Sequence, residues 1–174
     1  MHHAANQFIQ HVQDKYPHLF LDVNVLDVGS LDINGNNRHW FYGNKCRYTG
    51  IDIGAGKNVD VVYDGKKMPF EDTSFDVVIS TECMEHNEHL FATLQEMSRV
   101  LRSGGLMLIT CAGYGRPEHG TDEHDPVASP FTHNFYNNVL AVELCGGLSP
   151  ESDFFPFVIE YAGAYDLYFY GIKK

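Results

Sequence analysis

The sequence predicts a doubly wound α/β sandwich whose mostly parallel sheet has seven strands and one antiparallel strand near the C-terminus. Three observations predict it. Short apolar runs recur at intervals and do not alternate, which marks strands buried on both faces. Helical or loop stretches separate the first five runs, so each connection crosses over and the strands lie parallel. The last two runs are joined only by a tight Ala-Gly-Ala connection, which makes that pair antiparallel.

The elements follow in order. Ala4 to Tyr16 places Phe8, Ile9, Val12 and Tyr16 on one face at helical spacing, and Pro17 stops it. Asn24 to Val28 reads as a buried strand, and Arg38 to Tyr42 as a short helix with its aromatic side on the sheet. Arg47 to Ile53, Val59 to Val62 and Phe75 to Ser80 are the next strands. His89 to Leu101 is the clearest helix, with Leu90, Phe91, Leu94, Met97, Val100 and Leu101 as its stripe and Glu88, Gln95, Glu96 and Arg99 facing out. Gly104-Gly105 ends that helix before a fifth strand, LMLIT. Cys111 to Pro130 is a loop rich in Gly, Pro, His and acids, and Phe131 to Cys145 reads as a helix with Phe135, Val139 and Val142 inward. Phe154 to Tyr161 and Tyr165 to Ile172 close the sheet. With 174 residues and no linker or repeat, one domain spanning 1–174 is expected.

Composition narrows the function. Lys and Arg number 12 against 23 Asp and Glu, a net charge of −11, which gives no general attraction to phosphate backbones or anionic lipid. Nucleic acid is therefore an unexpected partner, and a small molecule the expected one. No apolar run is long enough for a membrane helix, and the start shows no secretory signal. Four scattered cysteines without a CxxC pair read as reduced thiols, so the expected compartment is cytoplasmic. The aromatic tail follows strand periodicity and lacks interleaved Lys or Arg, which speaks against a base-stacking platform.

In such a sheet the ligand lies beyond the carboxyl ends of the strands, where strand order reverses. Acids stand at those ends: Asp27, Asp52, Asp64 and Glu82. Asp52 is suited to accept both hydroxyls of a ribose, and Asp64 with the backbone of Gly65 to read an adenine edge. Gly29 allows a tight turn after the first strand. A dinucleotide fingerprint is absent, because GSLDING has Leu31 where the second glycine belongs, and there is no nucleoside-triphosphate phosphate loop.

VLDVGS, YTGIDI, DVVYDGKKMPFEDTSFDVVIS and TECMEHNEHLFATLQEMSRVLRSGGLMLIT form an ordered series from Val25 to Thr110. This series resembles the class I S-adenosylmethionine-dependent methyltransferases of type 11. The resemblance implies a Rossmann-like three-layer fold, S-adenosyl-L-methionine as cofactor, and transfer of a methyl group to a small or polar acceptor such as a sugar, metabolite or peptide group. It implies that Asp27, Gly29 and Ser30 line the methionine moiety, that Asp52 holds the ribose and Ile53 lies against adenine, and that Asp64 and Gly65 contact the adenine edge. Thr81 and Glu82 would stand near the sulfonium, and the Glu85-His86 pair would cap the following helix and line the pocket floor. Leu31 and Ile33 depart from the family's glycines, which keeps a non-catalytic binding module of the same fold as the alternative. His119 and His124 are the candidate general bases, because imidazole titrates near neutrality, with His133 and His86 next. Glu118, His119, Asp122, His124 and Asp125 offer metal-ligand atoms, but their spacing matches no metal motif and no metal is expected.

Overall fold

The computed structural model describes residues 3–63, 66–163 and 165–174. The seven strands are β1 (Asn24–Val28), β2 (Arg47–Asp52), β3 (Val61–Val62), β4 (Phe75–Thr81), β5 (Leu101–Ala112), β6 (Phe154–Ala162) and β7 (Asp166–Lys173). They form one sheet in the order β3-β2-β1-β4-β5-β7-β6. Pairing is parallel from β3 through β5, while β7 is antiparallel to both β5 and β6. The order reverses between β1 and β4, where Leu26 lies beside Val78 and Asp27 beside Ile79.

Successive residues of each strand feed opposite cores, as strand geometry requires. Leu26, Val78, Met107 and Phe169 join Leu94 and Met97 of α3 (Leu90–Val100) and Leu144 of α4 (Ala141–Leu148) on one face. Their neighbours Val25, Val77, Leu106 and Tyr168 join Phe8, Ile9 and Val12 of α1 (His3–Lys15) on the other. Phe20 and Phe41 extend this second core, their rings stacked 5.0 Å apart; Phe41 ends α2 (Arg38–Phe41). A short α5 (Pro150–Asp153) leads into β6.

Several expectations need correction. Residues 131–140 are not helical, and α4 begins only at Ala141. Phe131, His133 and Asn134 have positive φ, which breaks the helical path, and Glu143 starts α4 by accepting the Leu140 amide at 2.8 Å. Val142 consequently points to solvent, while Val139 stays buried. Phe91 is also exposed, leaving Leu90, Leu94, Met97 and Val100 as the buried stripe of α3. The helix ends at Val100, and β5 already begins at Leu101; Gly104 and Gly105 lie within the strand.

Glu96 and Arg99 are not a solvated face. Arg99 makes a bidentate pair with Glu96 at 2.7 Å, meets Asp72 at 2.6 Å and donates to the Phe70 and Met68 carbonyls. The 68–72 segment is thereby fastened to α3, and Met68 is buried. These partners hold the Glu96 carboxyl below its usual range. Arg99→Ala is expected to cost about 1–3 kcal/mol, because it strips charge-assisted bonds from two carboxylates and two carbonyls. Urea unfolding at neutral pH measures this; a loss under a few tenths of a kcal/mol would mean the clamp is idle.

Candidate active site

A cavity of about 490 Å³ opens at the carboxyl ends of β1, β2 and β4, at the point of strand-order reversal. Its wall begins in the turn after β1. The amides of Gly29 and Ser30 both donate to the Ile51 carbonyl, at 2.9 and 3.0 Å. Gly29 has φ +81°, and a β-carbon there would meet Cys83 Sγ at 2.3 Å, so this turn accepts only glycine against the segment after β4.

Asp52 lies on the cavity wall and accepts the Leu31 amide at 3.0 Å and the Gly54 amide at 3.2 Å, one on each oxygen. Burial raises its pKa, and these amides partly offset that. A carboxylate has about four acceptor positions, so the Leu31, Gly54 and Ile53 amides leave Asp52 with acceptor capacity still free at the wall. That is what a ribose diol needs, and the residues fit the adenosine part of the cofactor. The Leu31 and Ile33 departures now have a physical account: the backbone after β1 is fastened by Asp52, and both side chains line the cavity. Ile53 is exposed at the cavity wall.

The remaining predicted residues divide. Glu82 lines the cavity, with φ +52° and a bond from Thr110 Oγ1 at 3.0 Å. Asp27, Ser30 and Thr81 stand behind the wall. Ser30 is buried, its hydroxyl on the Asn58 carbonyl at 3.2 Å. Asp27 is 1% exposed and accepts from Tyr48 and, at 3.0 Å, from Asn37, whose amide also reaches Thr81. Asp64 and Gly65 lie outside the described residues. Sequence reasoning did not single out Tyr63, Cys83, Asn87, His89 or Phe131, which also line the cavity. Phe131 packs so closely on Gly54 that a β-carbon there would meet its ring at 1.9 Å. A lone aromatic residue closing a polar, Pro-rich stretch was the available signal.

The Glu85-His86 pair sits in a 3₁₀ turn, Met84–His86, ahead of α3. It does not cap the helix, whose N-cap is His89 and carries no side-chain cap; Asn87 braces this start, accepting the His89 amide and donating to Thr93, each at 2.8 Å. His86 lines the cavity, and Glu85 is fully buried beside it. His119 joins them: its Nε2 is 3.9 Å from Glu85 Oε1, and its ring meets His86 edge-on at 5.2 Å. Burial lowers the His86 pKa to about 4, with the Phe135 carbonyl opposing and His119 assisting. Burial pushes the Glu85 carboxyl up to about 8, reinforced by the Glu82 charge. His124 is exposed, faces Glu118 at 3.6 Å and is not on the cavity wall, whereas His133 is.

Residues 26–109 match the family model of a methyltransferase domain. A segment of 47 residues is 47% identical to phthiotriol/phenolphthiotriol dimycocerosates methyltransferase 1 of Mycobacterium ulcerans, covering 27% of this chain and 17% of that protein. The chain thus spans about a sixth of that relative. The fold is shared with Haemonchus contortus phosphoethanolamine N-methyltransferase 2 bound to S-adenosyl-L-methionine (TM-score 0.68, 16% identity, 97% of this chain and 52% of that one). It is also shared with Burkholderia thailandensis 1,6-didemethyltoxoflavin-N1-methyltransferase bound to S-adenosylhomocysteine (TM-score 0.63, 17% identity, 98% and 87%). Sheet order and cavity position define a Rossmann-like α/β fold. Within that class, residues 26–109, just under half of the chain, match the methyltransferase-domain family, and the whole fold is one that S-adenosylmethionine-dependent methyltransferases share.

Asp27 yields a pH prediction. Its pKa rises from 3.8 to about 6, first through burial and then through the nearby Asp52 charge, with Tyr48, Asn37 and Arg38 opposing. A raised folded-state pKa stabilises the protein fully below the unfolded value, and that stabilisation fades as pH rises through about 6. Asp27→Asn cannot ionise, so its advantage over wild type should grow by about 2 kcal/mol between pH 4 and pH 7. Parallel denaturant titrations measure it; a pH-independent difference would contradict the buried-carboxyl account.

Proposed function

We propose that this chain transfers the methyl group of S-adenosyl-L-methionine to a small or polar acceptor, a sugar, a metabolite or a peptide group. The observation that carries this reading is Asp52, fixed by backbone amides at the cavity wall with acceptor capacity left over. The bound cofactor supplies an activated methyl group on a sulfonium, so the protein's task is alignment and exclusion of water.

Asp52 holds the ribose diol, and Ile53 with Phe131 gives the adenine apolar cover. The 128–133 segment forms the outer wall, opposite the strand ends, and limits water on that side. Asp27, Asn37 and Thr81 act from behind, keeping the β1 and β4 ends together. The cavity suits a compact acceptor more than a polymer. Of the two histidines first considered as bases, neither lines the cavity: His119 stands behind His86 beside Glu85, and His124 turns to Glu118.

Calorimetric titration with S-adenosylhomocysteine tests the reading without an acceptor. Micromolar binding at one site per chain is expected, and no binding by the folded chain would favour the non-catalytic module. Asp52→Ala should weaken that binding more than tenfold through loss of charged hydrogen bonds. Equal affinity would remove Asp52 from the ribose site. Phe131→Ala should weaken it about three- to tenfold, the worth of one aromatic contact. Its melting temperature should hardly move, because the ring is half in solvent; an unchanged affinity would free Phe131 from any part in binding.

A further inference from the structure

We infer that Glu85, His86 and His119 form a binding site for one divalent transition-metal ion at the floor of the cavity. One ligand atom from each lies within 4.8 Å of the others. Tetrahedral coordination with bonds of about 2.0–2.1 Å puts ligand atoms roughly 3.3 Å apart. The cluster therefore needs to draw in by about an ångström and a half, and His119, on a loop, is the ligand with freedom to move.

The two imidazoles are already oriented as ligands. His86 Nδ1 is 3.3 Å from the Phe135 carbonyl, and His119 Nδ1 is 3.1 Å from the Pro117 carbonyl. A carbonyl oxygen only accepts, so each Nδ1 carries the proton and each Nε2 keeps a lone pair. Backbone carbonyls fixing the distal nitrogen are the usual outer support of metal-bound histidine. The Tyr136 ring lies against both, at 5.4 Å from His86 and 4.9 Å from His119. Gly120 has φ +69°, and a β-carbon there would meet His86 Cε1 at 2.8 Å, so the loop reaches this position only with glycine.

Glu85 supplies the independent argument. It is 0% exposed, and among the described residues neither carboxylate oxygen accepts a hydrogen bond. Its own amide, that of Ala112 and the Arg116 charge offset only part of the burial. A buried carboxylate with so little to offset its burial is costly when ionised, and a cation is the partner that removes the cost. Two imidazoles and one carboxylate select borderline ions such as Zn²⁺, Co²⁺, Fe²⁺ or Mn²⁺ over Mg²⁺ or Ca²⁺. The acids of the same loop are not part of it: Glu118 bonds Thr121 at 2.6 Å and faces His124.

Three protein ligands leave coordination positions open, and His86 borders the cavity. A consequence, resting on the methyl-transfer reading, is that the acceptor is an alcohol. An ion held by these residues would make that hydroxyl more acidic, its proton leaving to water. The oxygen then forms the O–CH₃ bond as the S–CH₃ bond breaks, turning the sulfonium into a neutral thioether.

The test titrates the chelator-treated full chain with Co²⁺, followed by visible absorption, and with Zn²⁺ by calorimetry. S-adenosylhomocysteine binding is measured on the same samples. One ion per chain at micromolar affinity is expected, with Glu85→Gln and His119→Ala each weakening it at least tenfold. A His3→Ala control should leave affinity and stoichiometry unchanged, which separates the site from the N-terminal histidines. His119 is on the loop, so its variant tests the site even where Glu85→Gln fails to fold. No ion bound by the folded chain, binding that survives both substitutions, or a preference for Mg²⁺ would overturn the site. S-adenosylhomocysteine binding without ion binding would sink the metal site alone; ion binding without it would sink the methyl-transfer reading and the alcohol assignment alone.

Discussion

Taking a carboxyl group out of water costs several kcal/mol unless hydrogen bonds or opposite charge replace the lost solvation. The carboxyl edge of this sheet does so at Asp27, Asp52 and Glu85, each pushed upward in pKa mainly by burial. The surroundings answer differently in each case. Asp27 receives side-chain donors, Tyr48 and Asn37, and so ties β1 to β2 and to the end of β4. Asp52 receives backbone amides and fixes the turn after β1. Glu85 is answered only by its own amide, that of Ala112 and the Arg116 charge, which offset part of its burial, and it lies beside the His86 and His119 rings. Satisfied groups frame a site, whereas a group left in need of a partner marks where a ligand contributes most.

The turn after β1 shows how one side chain substitutes for a backbone preference. A glycine-rich turn lets the chain approach a ligand closely because it carries no side chains. Here only Gly29 is kept at the tightest point, against Cys83. Beyond it, Asp52 holds the Leu31 amide, while Asn58 holds the Ser30 carbonyl at 2.9 Å and Arg38 holds Asn58 at 2.6 Å. Arg38 also pairs with Asp60, which accepts the Gly50 amide at 2.7 Å. The loops after β1 and β2 therefore share one polar lattice, and Leu31 and Ile33 serve as apolar wall.

Periodicity exposed most of the fold and about half of the site. Strands were legible because their burial on both faces leaves unbroken apolar runs, such as Val77 to Ile79 and Leu106 to Ile109. Acids at strand ends were legible because topology alone puts them on one edge, although sequence could not separate Asp52, on the wall, from Asp27, behind it. The stretch from Phe131 to Leu140 misled because its apolar spacing imitates a helix, while positive φ at Phe131, His133 and Asn134 breaks one. Phe91 and Val142 misled for a related reason: a helix stripe shows which residues are able to be buried, and the neighbouring element decides which are. His119 was legible as a candidate, but its position beside Glu85 and His86 depends on the path of a long loop, which local pattern does not encode.

That loop links the two halves of the site. It leaves β5 at Ala112, brings His119 to the Glu85-His86 turn, and returns through Phe131 over Gly54 before Val139 bonds the Ala112 carbonyl at 2.8 Å. Its two ends are thus fastened to each other at the rim of the sheet, which limits the entropy lost in ordering what lies between. Asn137 adds a second tether, its amide on the Glu85 carbonyl at 2.8 Å, next to the residue whose side chain most needs a partner. Phe131 and His119 are therefore held by one closed segment: whatever orders it for the cofactor side also positions the imidazole beside Glu85. A loop of this length without regular structure is costly to order, and its return in this fold is to wall the cavity with residues 128–133 while bringing His119 to Glu85 and His86.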